Sequence, residues 1–169
     1  IAGYSAAITL NTFAVNSLVT FGNSVSSFTA QNVGAKRYER IKEGLKSGAV
    51  LSFVTAVAFS LVYVIFSETL IGVFMEGDKS SLALATGKDF LNIVEPFLFF
   101  IAFKVVCDGA LRGTGNMNYF MIATFADLVL RVILAFIFSD MFGAVGIWLS
   151  WPNGWGLAVV LSFSFYKKV

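Results

Sequence analysis

Long apolar runs separated by short polar connections dominate the chain. A helix needs about 20 mostly apolar residues to cross roughly 30 Å of hydrocarbon, and five segments reach that length. They cover residues 2–33, 49–75, 90–111, 119–138 and 144–165. Within these segments the apolar residues follow one another without the alternation of a membrane β-strand. The pattern predicts an all-α integral membrane protein, a bundle of five transmembrane helices.

Composition supports a lipid environment and excludes several classes of function. Hydrophobic residues make up 57% of the chain and charged residues only 13%, where soluble domains carry about 25%. The net charge of +2 gives no reason to expect a nucleic-acid partner. There is no His and a single Cys107, so we expect neither a disulfide framework nor a metal site. Motifs such as GxSxG, HExxH or a P-loop are missing, and we do not expect an enzyme.

The connections between the spans alternate in charge. The first connection is strongly basic, the second leans acidic, the third carries Arg112, the fourth carries Asp140 and the tail ends in Lys167 and Lys168. Lys and Arg collect on the cytoplasmic side of a membrane protein. This places Ile1 outside and the tail in the cytoplasm of a multi-pass cell-membrane protein. A chain that begins outside implies at least one upstream span, which would complete a six-helix bundle.

The basic connection, residues 36–46, has an amphipathic spacing of its own. Ile41 and Leu45 lie four residues apart, with charges on the remaining faces, which suits a short helix on the inner membrane surface. Gly34 stands directly before it as a natural helix stop. The connection is either a solvated basic loop that fixes the topology or a gating linker that moves with the bundle.

Five ionisable residues fall inside the predicted third and fourth spans: Glu95, Lys104, Asp108, Asp127 and Arg131. Each charge at a helix centre costs roughly 2.5–3.5 kcal/mol, so such side chains should face protein or a wet cavity. At about 1.5 Å per residue, opposite charges on the two helices fall at matching depths. We predict the interhelical pairs Lys104–Asp127 and Arg131–Glu95, with internal alternatives four residues apart, Lys104–Asp108 and Asp127–Arg131.

This charge network has two interpretations. It is either structural, fixing the register of the helices, or functional, with one acid binding a proton or a sodium ion and releasing it as the bundle changes shape. Glu95 has the fewest basic neighbours and precedes Pro96, where the backbone is disturbed. Among neutral polar residues of the first span, Asn11 and Asn16 are the candidates for lining a substrate cavity, although close helix packing is the default explanation for such residues.

Several stretches resemble the multidrug and toxic compound extrusion (MATE) family. "FGNSVSSFTAQNVGAKRYERIKEG" is similar to the second helix of a lobe and its basic linker. "GALRGTGN" is similar to the turn after the fourth helix, and "FADLVLRVILAF" and "FGAVGIWLSWP" to the last two helices. The motif positions are Gln31, Asn32, Gly34, Ala35, Arg112, Gly113 and Gly115.

The resemblance implies a fragment of the C-terminal lobe of a twelve-helix antiporter, whose N-terminal lobe is its missing partner. Such transporters export organic cations or amphiphilic drugs by alternating access, with Na⁺ or H⁺ as coupling ion and no other cofactor. One branch of the family uses an acid near residues 99–103, where this chain is apolar, which puts a sodium site there in doubt. The alternatives are a flippase for lipid-linked saccharides and a non-transporting membrane scaffold.

Overall fold

The computed structural model describes residues 2–75 and 81–168. Within these residues the chain forms seven α-helices and a 3-10 turn at Glu95–Phe97. The helices are α1 (Ala2–Gly34), α2 (Tyr38–Ile65), α3 (Ser67–Phe74), α4 (Ser81–Val94), α5 (Leu98–Gly113), α6 (Met117–Phe142) and α7 (Ala144–Tyr166). The prediction of an all-α membrane bundle is confirmed.

In the described residues, four helical segments are long and apolar enough to cross a membrane: 38–65, 81–113, 117–142 and 144–166. Helix α1 is longer than three of them, at 33 residues, but it is more polar and does not meet the same criterion. Helix α1 packs against several other helices of the bundle, and this position accounts for its more polar composition.

Two of the predicted spans differ from the helices that form. Helix α2 runs without a break from Tyr38, so residues 38–46 continue directly into the second apolar segment and do not form a separate helix. The predicted span 49–75 is interrupted at Phe66, and Glu68 in the first turn of α3 complements the helix dipole there. Residues 76–80, which belong to the predicted second connection, lie outside the described residues.

The end of α1 also differs from the expectation. Gly34 is the last residue of the helix, and Lys36, not a glycine, adopts the left-handed conformation with φ of 57°. The turn is closed by backbone hydrogen bonds from Lys36 N to Val33 O (3.0 Å) and from Arg37 N to Asn32 O (2.8 Å). These bonds satisfy carbonyls that the helix end leaves unpaired.

Helix α1 packs against α5, α2 and α4, while α6 packs mainly against α7 and has far less contact with α5. Small residues allow the closest approach: a Cβ atom on Gly109 of α5 would collide with the backbone of Gly22 in α1. Glycine at such contacts lets membrane helices approach through their backbones. Helix α5 therefore contacts α1 and α7 more than the helix that follows it in sequence.

The aromatic core lies near the start of α7. Trp148 is buried, packing edge-on against Phe90 with ring centroids 5.7 Å apart and stacking on Tyr4 at 6.2 Å. Trp148 therefore belongs to the core of the bundle. Helix α7 continues through Pro152, which is buried within it.

The two ends of the bundle differ in charge. The end at which α1 and α7 finish, and α2 and α6 begin, is here named the basic end. Its cations are Lys36, Arg37, Arg40, Lys42, Lys46, Arg112, Lys167 and Lys168, against Glu39 and Glu43. Among the described residues of the opposite end, Glu68, Asp89 and Asp140 outnumber Lys88, whose ammonium lies 3.4 Å from Glu68.

Candidate functional site: a charge-lined cavity between α1, α5, α6 and α7

Four helices enclose a cavity of about 340 Å³ near the middle of the bundle. Its lining is partly apolar and aromatic and includes three charged side chains. The lining residues are Asn11, Thr12, Val15 and Val19 of α1, Ile101, Lys104 and Val105 of α5, Asp127 and Arg131 of α6, and Trp151 and Trp155 of α7. We refer to it as the central cavity.

One ion pair of the central cavity belongs to α5. Lys104 Nζ lies 2.6 Å from Asp108 Oδ2, and the two side chains are 13% and 5% exposed. The other oxygen, Asp108 Oδ1, accepts a hydrogen bond from the Ser162 hydroxyl of α7 at 2.6 Å. Both carboxylate oxygens of Asp108 thus have a polar partner, and the bond from Ser162 connects α5 to α7.

The second ion pair belongs to α6 and is less completely satisfied. Arg131 Nη2 donates to Asp127 Oδ2 at 2.7 Å, and the guanidinium lies 5.8 Å from the Trp151 ring centroid. Asp127 is 5% exposed, yet its Oδ1 and the Arg131 Nε have no hydrogen-bond partner among the described residues. Both atoms border Gly154, where a Cβ atom would lie 2.5 Å from Asp127 Oδ1.

The predicted interhelical pairs, Lys104–Asp127 and Arg131–Glu95, are wrong. Both cations pair with the acid four residues away on their own helix. The cause is the packing: α6 lies mainly against α7 and has little contact with α5, so Lys104 and Asp127 both line the central cavity without forming an ion pair. Pairing within a helix needs only the 3.6-residue repeat, whereas pairing between helices depends on which neighbours they select.

Glu95 occupies a different environment, in the 3-10 turn between α4 and α5. Its side chain is fully buried, and Asn11 Nδ2 donates to its Oε1 at 2.9 Å. The other oxygen, Oε2, has no partner in the part of the chain that the structure describes. Because Asn11 also lines the central cavity, its amide links the buried carboxyl to that cavity.

Asn16, the second predicted cavity residue, is exposed on α1 and does not line the central cavity. It belongs to a feature that the sequence analysis missed, a stripe of exposed polar side chains along the whole helix. The stripe consists of Ser5, Thr9, Thr12, Asn16, Thr20, Asn23, Ser27 and Gln31. Steps of three and four residues place them on one face, and this periodicity could have been found in the sequence. We refer to it as the polar stripe.

The family-motif residues lie at the basic end, at the end of α1 and at the turn between α5 and α6. Asn32 is buried and donates to Phe28 O at 2.8 Å. Arg112 Nη2 donates to Asn23 Oδ1 of the polar stripe at 3.1 Å. Gly113 lies so close to α1 that a Cβ atom there would be 2.5 Å from a backbone oxygen. Gly115 has φ of 82°, which favours glycine.

The other motif positions are exposed or open. Gln31 and Ala35 are exposed, and a Cβ atom on Gly34 would have no neighbour within 4 Å. These residues shape the turns at the basic end and lie away from the central cavity.

Solved structures share this fold. An inward-facing and an outward-facing conformation of a multidrug resistance MATE family transporter of the MOP superfamily superpose with TM-scores of 0.88 and 0.89, each at 18% identity. The match covers 98% and 99% of this chain and 38% of each solved chain.

Three curated relatives are similar in sequence. "Probable multidrug resistance protein YoeA" of Bacillus subtilis (strain 168) is 23% identical, with 89% of this chain and 33% of the relative covered. "Probable multidrug resistance protein NorM" of Thermotoga maritima is 29% identical, covering 84% and 31%. "Probable lipid II flippase MurJ" of Buchnera aphidicola is 28% identical, covering 69% and 23%.

The chain thus spans about a third of the length of the multidrug resistance proteins that it matches. A family model described as MatE matches residues 1–137, which include the polar stripe and every charged residue of the central cavity. The chain therefore belongs to the MatE family.

Proposed function

We propose that the chain is part of a six-helix lobe of a secondary antiporter that exports organic cations or amphiphilic drugs. The observation that carries this proposal is the polar stripe of α1 beside the charge-lined central cavity. Polar side chains in a membrane helix normally face protein or water, because their exposure to hydrocarbon is costly. The stripe therefore supports a water-filled path or a second lobe along α1.

The chemistry of the central cavity suits an amphiphilic cation. Asp127 Oδ1 is a buried acceptor without a hydrogen-bond partner in the described part of the chain, and Trp151 and Trp155 supply aromatic surface. Aromatic faces attract organic cations, as does a carboxylate. The same acceptor, or the unpartnered oxygen of Glu95, is a candidate ligand for the coupling ion, H⁺ or Na⁺.

Alternating access requires a lobe that keeps its shape while the protein changes conformation. The fold of this chain is matched about equally well in an inward-facing and in an outward-facing structure. This favours a lobe that moves largely as one body. The basic end is proposed to face the cytoplasm, following the excess of Lys and Arg there.

A flippase for lipid-linked saccharides is the second candidate, favoured by the flippase among the relatives. A phosphate-binding cleft needs cations that are free to pair with phosphate. The cations of the central cavity, Lys104 and Arg131, each pair with an acid on their own helix, which weighs against this candidate. A membrane scaffold without transport would give no reason for a cavity lined by buried charges.

The test uses the complete parent gene in a host that lacks its own drug pumps. We expect ethidium efflux that collapses when an ionophore dissipates the gradient, and comparison of Na⁺ with H⁺ gradients identifies the coupling ion. Asp127→Asn should lower efflux at least tenfold, whereas the exposed acid of the same helix gives a matched control, Asp140→Asn, that retains it. Efflux that is indifferent to the ionophore, or to Asp127→Asn, would contradict the proposal.

A further inference from the structure

A second cavity lies at the basic end, away from the central cavity. It has a volume of about 470 Å³ and is lined by Val33 of α1, Tyr38, Ile41 and Lys42 of α2, Thr114 and Asn116 of the α5–α6 turn, and Tyr166 and Lys167 at the end of α7. The lining thus comes from the ends of three membrane helices, α1, α2 and α7, and from the turn between α5 and α6. We refer to it as the helix-end cavity.

We infer that the helix-end cavity binds the phosphate headgroup of an anionic phospholipid. Two lysines line it, Lys42 near the start of α2 and Lys167 directly after α7. Lys167 forms no ion pair with an acid in the described part of the chain, and its Nζ lies 4.6 Å from the Phe163 ring centroid. Both cations are exposed and therefore available to an anion.

Among the described residues, one ion pair competes for these lysines, and it is weak. Lys42 Nζ lies 3.7 Å from Glu39 Oε1, but the two side chains are 73% and 88% exposed. Exposed pairs of this kind contribute little, because water and salt screen them. An entering phosphate with charge-assisted hydrogen bonds can therefore replace Glu39 as the partner of Lys42.

The position of the cavity selects a lipid over a soluble phosphate. Tyr38 and Tyr166 line it, and tyrosines commonly mark the level of the headgroups. Its floor includes the apolar side chains of Val33 and Ile41. Basic pockets between membrane helices on the cytoplasmic side are known to take anionic headgroups.

A path for the acyl chains begins beside the cavity. Helix α6 starts one residue after Asn116 of the cavity lining, and its first exposed apolar side chains are Met117 and Met121, which are 47% and 48% exposed. Ile122 and Phe125 continue this surface at 52% and 59%. A lipid whose headgroup occupies the cavity can lay its chains along this face, which a soluble phosphate cannot use.

The experiment measures lipid binding to the complete parent protein in detergent, where no membrane surface potential contributes. Phosphatidylglycerol and phosphatidylcholine with identical acyl chains are titrated, and retained lipid is counted by native mass spectrometry alongside the rise in melting temperature. Inorganic phosphate is titrated in parallel. We expect retention of phosphatidylglycerol and little effect of phosphatidylcholine or phosphate.

The variant that removes the site is Lys42→Gln/Lys167→Gln. The matched control, Lys46→Gln/Lys168→Gln, removes the same charge from the same two helices at exposed positions that do not line the cavity. An exposed ion pair between a lysine and the lipid phosphate contributes up to about 1 kcal/mol, or about fivefold in affinity. The site variant should therefore bind up to about 25-fold more weakly, and the control should stay within about threefold of the wild type.

Three results would overturn the inference. The wild-type protein could retain phosphatidylcholine as well as phosphatidylglycerol, a result that does not depend on any variant. Inorganic phosphate could stabilise the protein as strongly as the lipid does, which would identify a soluble ligand. Equal losses in the site variant and its control would indicate a general surface-charge effect. Circular dichroism and size-exclusion chromatography confirm that each variant is folded before its binding is compared.

Discussion

Gly154 is the position at which α7 accommodates the ion pair of α6, and Gly154→Ala tests that contact directly. The added Cβ atom would lie 2.5 Å from Asp127 Oδ1 and 3.3 Å from Arg131 Nε. Ordinary van der Waals contact begins at 3.4 Å, so the carboxylate and α7 must separate by about 0.9 Å. Asp127 is a short side chain held by its 2.7 Å bond to Arg131, which leaves little freedom to move.

The expected magnitude follows from two opposing effects. Overpacking of this kind costs about 1–3 kcal/mol, whereas replacing glycine by alanine within a helix stabilises it by about 0.5–1 kcal/mol. Gly156→Ala is the matched control, because a Cβ atom there would meet only Phe100, at 3.9 and 4.0 Å. The control should be neutral or slightly stabilised, so the difference between the two variants isolates the overpacking cost.

The assay is chemical unfolding of the purified parent protein in detergent, followed by tryptophan fluorescence. We expect Gly154→Ala to unfold with a free energy about 1–3 kcal/mol lower than that of Gly156→Ala. Gly154→Ala should also lower ethidium efflux, because Asp127 must leave its position in the central cavity. Equal stabilities of the two variants would refute the contact between Gly154 and the α6 ion pair.

Three further predictions use the same unfolding assay. Lys104→Met should lower the free energy of unfolding by about 3–5 kcal/mol because it leaves the buried Asp108 without its cation. The double variant Lys104→Met/Asp108→Asn should recover more than half of that loss. Strictly additive effects would contradict the Lys104–Asp108 ion pair. Asn11→Ala should cost about 1–3 kcal/mol because it removes the only hydrogen-bond donor that the described residues give to the buried Glu95 carboxyl. The exposed Asn16→Ala should change stability by less than about 0.5 kcal/mol. Gly143→Ala should cost about 1–3 kcal/mol because residue 143 has φ of 60° and ψ of −137°, a region that only glycine adopts readily; an unchanged midpoint would count against that strain.

Properties that depend on short segments could be predicted from the sequence. Apolar runs of sufficient length indicate helices in lipid, and the spacing of four residues identifies Lys104–Asp108 and Asp127–Arg131 as possible pairs. The sequence does not show which helices of the bundle pack against each other. Consecutive antiparallel helices were expected to pack together, but α5 packs on α1 through the glycine contact at Gly109.

The positions at which helices end could also not be predicted fully from the sequence. No glycine or proline marks the interruption at Phe66, since the apolar run continues across it. At the end of α1 the expected stop, Gly34, remains helical, and Lys36 turns the chain. A left-handed lysine costs free energy that only the surrounding hydrogen bonds offset, and those bonds are not visible in the sequence.

The helix that looks least like a membrane span is the one on which the proposed function depends. Helices surrounded by lipid must be apolar on every exposed face, as α6 is, where Phe136 is 73% exposed. Helix α1 instead buries small and apolar residues against α5 while exposing the polar stripe, which lowers its hydropathy. Polar side chains in a membrane helix usually face water or protein, because exposing them to hydrocarbon is costly. The polarity of α1 therefore favours water or protein over lipid as the neighbour of the polar stripe.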